Sequence, residues 1–302
     1  MAPLTRRVPL RAPLVSLLGR LQRGRGDPCM QLWDRGCWRA GRTPDGPATT
    51  ALVDTGDGHL EATAWGPGAA WSIEHLPDLL GEHDDTVDAF APPPGLVRDL
   101  LRRSSVRIGR SLAVAEAVFP TVLEQRVTGA GARRSYRWLA RRLGEPAPGR
   151  GGALGLRLPP APEVLAATPS WVFHRAGVER ARADTVRSAM RRADRLEEVA
   201  AMTAAAAHRR LTAFAGIGPW TASEVALAAL GDPDAVSVGD FHLKHVVAFA
   251  LAGEPRGTDE RMLELLEPYR GHRARAVMLL EHAGITPPRY GPRIETPSIA
   301  HL

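Results

Sequence analysis

The chain is poor in thiols, in lysine and in aromatic rings. Its 302 residues include two cysteines, Cys29 and Cys37, one lysine, Lys244, and 5% aromatics. Two thiols exclude a disulfide framework for a chain of this length and an iron–sulfur cluster held by four thiolates. They are also too few for a zinc site, and His242 and His245 add no further ligands at suitable spacing. No metal is therefore expected. No run of about 18 apolar residues occurs, so no transmembrane helix and no membrane partner are expected. The first 25 residues carry arginines and no acid. Their apolar stretch, residues 12–18, is short and lacks a cleavage pattern, so it reads as a first strand and turn rather than a signal peptide. A cytoplasmic protein is expected.

What the chain has is arginine. The net charge is +6 and the isoelectric point about 10.2. This suits a polyanionic partner without naming one. Arginine is the better fork for phosphate, although a GC-rich coding sequence also favours it. Between residues 101 and 142 there are ten arginines against two acids, Glu116 and Glu124. A solvated helix face or a nucleic-acid-facing surface would both give such a cluster.

The pattern predicts an α+β chain. Residues 1–95 read as a β-rich domain, an antiparallel sheet plus helix. Short runs at 30–33, 37–40, 49–54 and 59–65 lie between turn signals such as Asp34-Arg35-Gly36, Pro44-Asp45-Gly46-Pro47 and Gly56-Asp57-Gly58. Residues 71–80 read as helix, and Ala91-Pro92-Pro93-Pro94-Gly95 as a linker. Residues 96–285 read as an all-helical domain, with helices expected at 112–123, 135–143, 161–167, 181–193, 196–206, 221–230, 242–252, 259–266 and 272–283. Thr258 and Asp259 supply a cap. Residues 286–302 form a Pro-rich tail.

The most specific stretch is Leu211-Thr212-Ala213-Phe214-Ala215-Gly216-Ile217-Gly218-Pro219-Trp220-Thr221-Ala222. A helical run breaks at Gly-Ile-Gly and another begins at once. Two glycines permit a tight turn and close approach of another molecule to the backbone. The amides that open the second helix have no intrahelical partners and suit a phosphate. A simple glycine C-cap would account for one glycine. Pro219 cannot donate but pre-sets the helix start, and Ile217 is expected to bury. Asp240 follows twenty-two positions after Gly218, after an apolar run.

Hairpin and Asp together resemble the helix-hairpin-helix DNA glycosylases, in particular the DNA-3-methyladenine glycosylase II type. The likeness covers about residues 105–285, and residues 119–129 look like the family's earlier helix. The resemblance implies an N-terminal β-rich unit ahead of a helix-hairpin-helix glycosylase domain. It also implies a monofunctional glycosylase of base excision repair that flips alkylated purines such as 3-methyladenine out of double-stranded DNA and leaves an abasic site. A non-catalytic helix-hairpin-helix DNA-binding protein and a glycosylase for oxidised or mismatched bases remain the alternatives. The expected partner is duplex DNA carrying a damaged base, met by a monomer. No cofactor is expected beyond a monovalent cation at the hairpin carbonyls.

Site residues follow by position. Asp240 is the expected catalytic carboxylate, and it also suits an N-cap. Gly216, Gly218 and Thr221 are the expected phosphate contacts. Trp220, Phe241, Glu224 and Tyr136 are the expected base-pocket residues, and Gln125 or Arg126 the wedge that fills the gap left by the base. In bifunctional members of the family a lysine stands where this chain has Trp220, so the Schiff-base nucleophile is missing. Glu224 departs from the family's aromatic residue. Arg270, Arg273 and Arg275 are further candidates for phosphate contact.

Overall fold

The five strands form because each run is closed by residues that turn the chain. In the computed structural model, which describes residues 2–104 and 106–288, β1 (Leu4–Pro9), β2 (Met30–Trp33), β3 (Gly36–Thr43), β4 (Gly46–Asp54) and β5 (His59–Trp65) make one antiparallel sheet in the order β1-β5-β4-β3-β2. Trp33 pairs with Gly36 and Thr43 with Gly46 across two-residue hairpins. The inner face, with Met30, Cys37, Leu52, Leu60 and Ala62, packs on Leu14, Leu17, Leu18, Leu76 and Leu80.

Residues 12–18 do not form the expected strand. Leu14–Leu18 is a helix that buries Leu14, Leu17 and Leu18, and the first strand lies earlier, at Leu4–Pro9. Only Val8 of that strand is buried, so no alternation marks it. It is an edge strand held by its ladder to β5, Leu4 facing Ala64 through Pro9 facing His59. Arg6 and Arg7 keep that edge charged.

The helices gather into two further cores. Val114–Glu124 is the centre of one, with nine of its eleven residues buried. Around it pack Gly129–Leu143, Arg180–Met190 and Pro219–Val225, which contribute Leu139, Val186 and Val225. Its first amides are capped from elsewhere: Val114 and Ala115 donate to Glu197 at 3.0 and 2.9 Å. The helix expected over 196–206 is broken accordingly, into Ala193–Glu197, a 3-10 turn Glu198–Ala201 and Ala204–Thr212. The other core joins Leu96–Arg103, Leu243–Ala252, Asp259–Leu266 and Arg273–His282 around Val97, Val247, Met262 and Met278. Phe90 belongs to this core too. Thr258 caps Asp259–Leu266, accepting from Arg261 N. No helix among the described residues is long and apolar enough to cross a membrane. Residues 289–302, most of the expected tail, lie outside the described residues.

Candidate DNA-binding and catalytic site

The Gly-Ile-Gly turn joins Ala204–Thr212 to Pro219–Val225, and each of its residues has a separate reason. Gly216 sits at φ +83°, and a Cβ there would lie 2.1 Å from Thr185 Oγ1. No other residue fits. Ile217 is buried under the turn, and its amide donates to Phe214 O at 3.0 Å. Gly218 has ordinary backbone angles, and a Cβ there would meet nothing within 4 Å. Its surroundings are open, and Pro219 starts the next helix. Neither the Gly216 nor the Gly218 amide has an acceptor among the described residues.

Two expected roles change. Thr221 is 2% exposed, and its hydroxyl accepts from Gln125 Nε2 at 2.9 Å. The same Gln125 amide donates to Gly216 O at 2.9 Å. Thr221 therefore braces the hairpin from inside, and its side chain is not offered to phosphate. Gln125 is pinned to the hairpin and does not project. The next residue, Arg126, is exposed and held at φ +54°. That conformation is costly for a branched-free but bulky side chain and marks a constrained turn. Of the two wedge candidates, Arg126 alone points away from a partner.

Asp240 does two things at once. Its Oδ1 accepts from His242 N and Leu243 N at 2.7 and 2.8 Å, which caps Leu243–Ala252. Its Oδ2 accepts from Trp220 Nε1 at 3.2 Å. That bond joins the helix after the hairpin to the helix after Asp240, and so links the two helical cores. Gly239, at φ +92°, sets the bend before it and donates to Asp259 Oδ1 at 3.1 Å. Asp259 also holds Lys244 Nζ at 3.2 Å. The one lysine is thus tied up beside the site rather than aimed at it.

The remaining candidates divide. Trp220 is half-buried, and Glu224, one turn on, accepts from Ser237 Oγ. Phe241 is 74% exposed, edge-on to His242 and His245. Tyr136 is overturned as a pocket residue: it is buried in the core against Phe119. Burial raises its phenol well above the usual range. Arg275 is likewise overturned as a phosphate contact. It is fully buried, bonded to Asp84 at 2.7 and 2.8 Å, to Thr86 and to Val106 O. Arg273 is bound to Asp234 and Arg270 to Glu267. Among the described residues no cluster of three His, Cys, Asp or Glu side chains could hold a metal ion.

Some neighbours of the site had no signal in spacing. Residues 19–28 form a loop organised by buried Asp27, which accepts from Arg23 N and Cys29 N at 2.7 and 2.8 Å. From this loop Arg20 reaches Glu281 at 2.7 Å and Arg23 reaches Glu124 at 3.5 Å. The partners are 261 and 101 residues apart, so only the fold brings them together.

No protein-family model matches the chain. It is 29% identical over 250 residues to the probable bifunctional transcriptional activator/DNA repair enzyme AlkA of Mycobacterium tuberculosis, a match that takes in 79% of this chain and 49% of the relative. The chain thus spans about half the length of the curated relative. Among solved structures, the 3-methyladenine DNA glycosylase of Archaeoglobus fulgidus aligns over 91% of this chain and 96% of its own, with TM-score 0.74 at 18% identity. The Clostridium acetobutylicum 8-oxoguanine glycosylase/lyase aligns over 93% and 96%, with TM-score 0.63 at 14% identity. Sheet, helical cores and hairpin together share the fold of these two glycosylase structures. In sequence the chain is similar to the AlkA relative, at 29% identity over about half of that protein.

Proposed function

We propose that the protein is a monofunctional DNA glycosylase that hydrolyses the N-glycosidic bond of alkylated purines of the 3-methyladenine kind in duplex DNA. The observation that carries this is the placement of Asp240. One oxygen is anchored by two backbone amides and the other faces Trp220, beside a hairpin whose glycine amides are open. The likeness to an AlkA relative supports the choice of alkylated purines. The fold alone does not choose, because it is shared with an 8-oxoguanine glycosylase/lyase.

The hairpin holds a backbone phosphate through the Gly216 and Gly218 amides, which positions DNA without reading sequence. Phe214 O and Gly216 O each accept one hydrogen bond and keep a lone pair, so they are the oxygens that would hold a monovalent cation at the hairpin. Such a cation would help neutralise the same phosphate. Arg126 enters the duplex where the base leaves it, and the flipped base lies near Trp220 and Phe241. As the glycosidic bond lengthens, positive charge grows on the sugar. The Asp240 carboxylate stabilises it and orients the water that attacks C1′. The base departs with the bonding electrons, and an abasic site remains. With Trp220 in the hairpin and Lys244 paired to Asp259, no amine attacks the sugar, so the strand stays whole.

The test is base release from duplexes containing 3-methyladenine or 7-methylguanine, with 8-oxoguanine as a control and strand scission scored separately. Free alkylated base is expected, with breaks only after heat or alkali. Asp240→Asn is expected to lose at least about 100-fold in rate and still bind the duplex. An Asn variant as fast as the wild type ends the assignment, and release of 8-oxoguanine alone replaces the substrate.

A further inference from the structure

The turn that carries Arg126 is held by a side chain and by its main chain, and the two holds come from different elements. Gln125 supplies the first, through its bonds to Gly216 O and Thr221 Oγ1. The second lies at the end of Val114–Glu124. Arg126, at φ +54°, takes the chain out of the helix. The amides that follow therefore turn away from Leu123 O, and no backbone donor to it occurs among the described residues. The helix also has no basic residue in its last turn. Arg182 answers both needs from another helix: its Nη1 donates to Leu123 O at 2.8 Å. A guanidinium there satisfies an orphan carbonyl and faces the negative end of the helix dipole.

Arg182 is a costly residue for that place. It is 6% exposed. The acid of its own helix, Asp184, pairs with Arg180 and Arg187 instead, and the buried Nε of Arg182 has no acceptor among the described residues. Burial lowers its pKa, and the charge of Glu179 opposes the fall. A methionine would fill similar space without stranding a buried charge, so packing alone does not account for a guanidinium here. The same helix, Arg180–Met190, also stands behind the hairpin. Thr185, three residues on and on the same face, is the side chain against which Gly216 closes. One helix thus backs both the hairpin and the turn that bears Arg126.

We propose that Arg182 is a positioning residue for base flipping: it fixes the main chain from which Arg126 projects and so sets the wedge relative to the hairpin. The inference rests on the wedge role given to Arg126 within the glycosylase reading. Being buried, Arg182 meets neither base nor sugar. Its loss weakens the opening of the stack and leaves the chemistry on an extruded base alone.

Two duplexes separate these steps. Both carry 7-methylguanine, one opposite cytosine and one opposite an abasic-site analogue, where the base has no partner to lose and leaves the stack more readily. Arg182→Met is expected to slow base release about tenfold on the paired duplex and to stay near the wild-type rate on the unpaired one, with the melting temperature kept or raised. Arg182→Lys still donates, from a shorter head. It should show the same pattern at smaller size, and it carries the test if the Met variant does not fold. A 2-aminopurine beside the lesion, in a duplex whose 2′-fluoro sugar resists cleavage, reads unstacking without turnover. At saturating protein its fluorescence should rise with the wild type and lose most of that rise with Arg182→Met. A structural role alone would slow both duplexes alike and leave the fluorescence of the bound duplex unchanged. Equal slowing on both duplexes, or slowing on neither, overturns the proposal. So does a full fluorescence rise with Arg182→Met. A wild type that releases no base from either duplex removes the glycosylase reading, and the fluorescence still decides whether Arg182 supports the wedge.

Discussion

Trp220 and Arg275 show how little residue type alone says about role. Trp220 donates its one N–H to Asp240, so it orients the carboxylate. Trp220→Phe keeps a ring and deletes the donor. Its turnover should fall by about tenfold, with the melting temperature shifted by a few degrees at most; an unchanged kcat would confine Trp220 to packing. Arg275 looked like one more DNA-facing arginine and is instead the largest fully buried side chain. Arg275→Ala strands Asp84 and should cost about 3–5 kcal/mol in urea unfolding. Burial alone would raise the pKa of Asp84, but the bonds from Arg275 and Ile108 N hold it below the usual carboxylate range. A depressed folded pKa contributes stability above the unfolded value near 4, and that contribution is lost as pH falls through the folded value. Wild-type stability should therefore drop below about pH 4, and the Ala variant should lack that part of the drop.

The hairpin is the element that sequence described best. The two glycines, the buried Ile217 and the proline start were all legible, because a tight turn between helices constrains local residue type. The two glycines are not equivalent, however. Gly216→Ala meets Thr185 and a left-handed backbone, and should destabilise the fold by more than about 1 kcal/mol. Gly218→Ala meets no protein atom within 4 Å and should leave the melting temperature unchanged or slightly higher, yet weaken duplex binding because the added methyl stands where a phosphate approaches. Calorimetry with a fluorescence binding titration separates the two; a Gly218→Ala variant with full affinity removes the close approach. Other elements were not legible, for physical reasons. The edge strand Leu4–Pro9 buries one residue and has no alternation to read. The brace from Gln125 to Gly216 and Thr221 joins segments more than 90 residues apart, and nothing in either segment announces the other.

At the scale of the whole molecule, charge gave the sign of the partner and not its place. Of the ten arginines in residues 101–142, Arg102 and Arg110 are paired with Asp99 and Asp78. The six from Arg126 to Arg142 have no acidic partner among the described residues. Arg126 lies in the turn before Gly129–Leu143, and the other five lie along that helix. Duplex affinity should fall steeply with salt, and Arg134→Gln with Arg142→Gln should lessen the slope of log affinity against log salt by about one each if both meet phosphate. A slope that both variants leave intact would return this row to solvent. The two thiols belong to the interior: burial pushes Cys37 up to about 12 and raises Cys29 too.

The brace on the hairpin has one more consequence. Because Gln125 ties the turn bearing Arg126 directly to the Gly216 carbonyl, the part proposed to grip the sugar-phosphate chain and the part proposed to probe the stack are tied into one unit. A protein scanning undamaged duplex could not clamp first and inspect afterwards. Each grip would press Arg126 against a base pair, and weakly stacked or distorted pairs would yield to that pressure first. Loosening the brace, as in Gln125→Ala, would uncouple holding from searching: a protein that still binds DNA but takes longer to find its target.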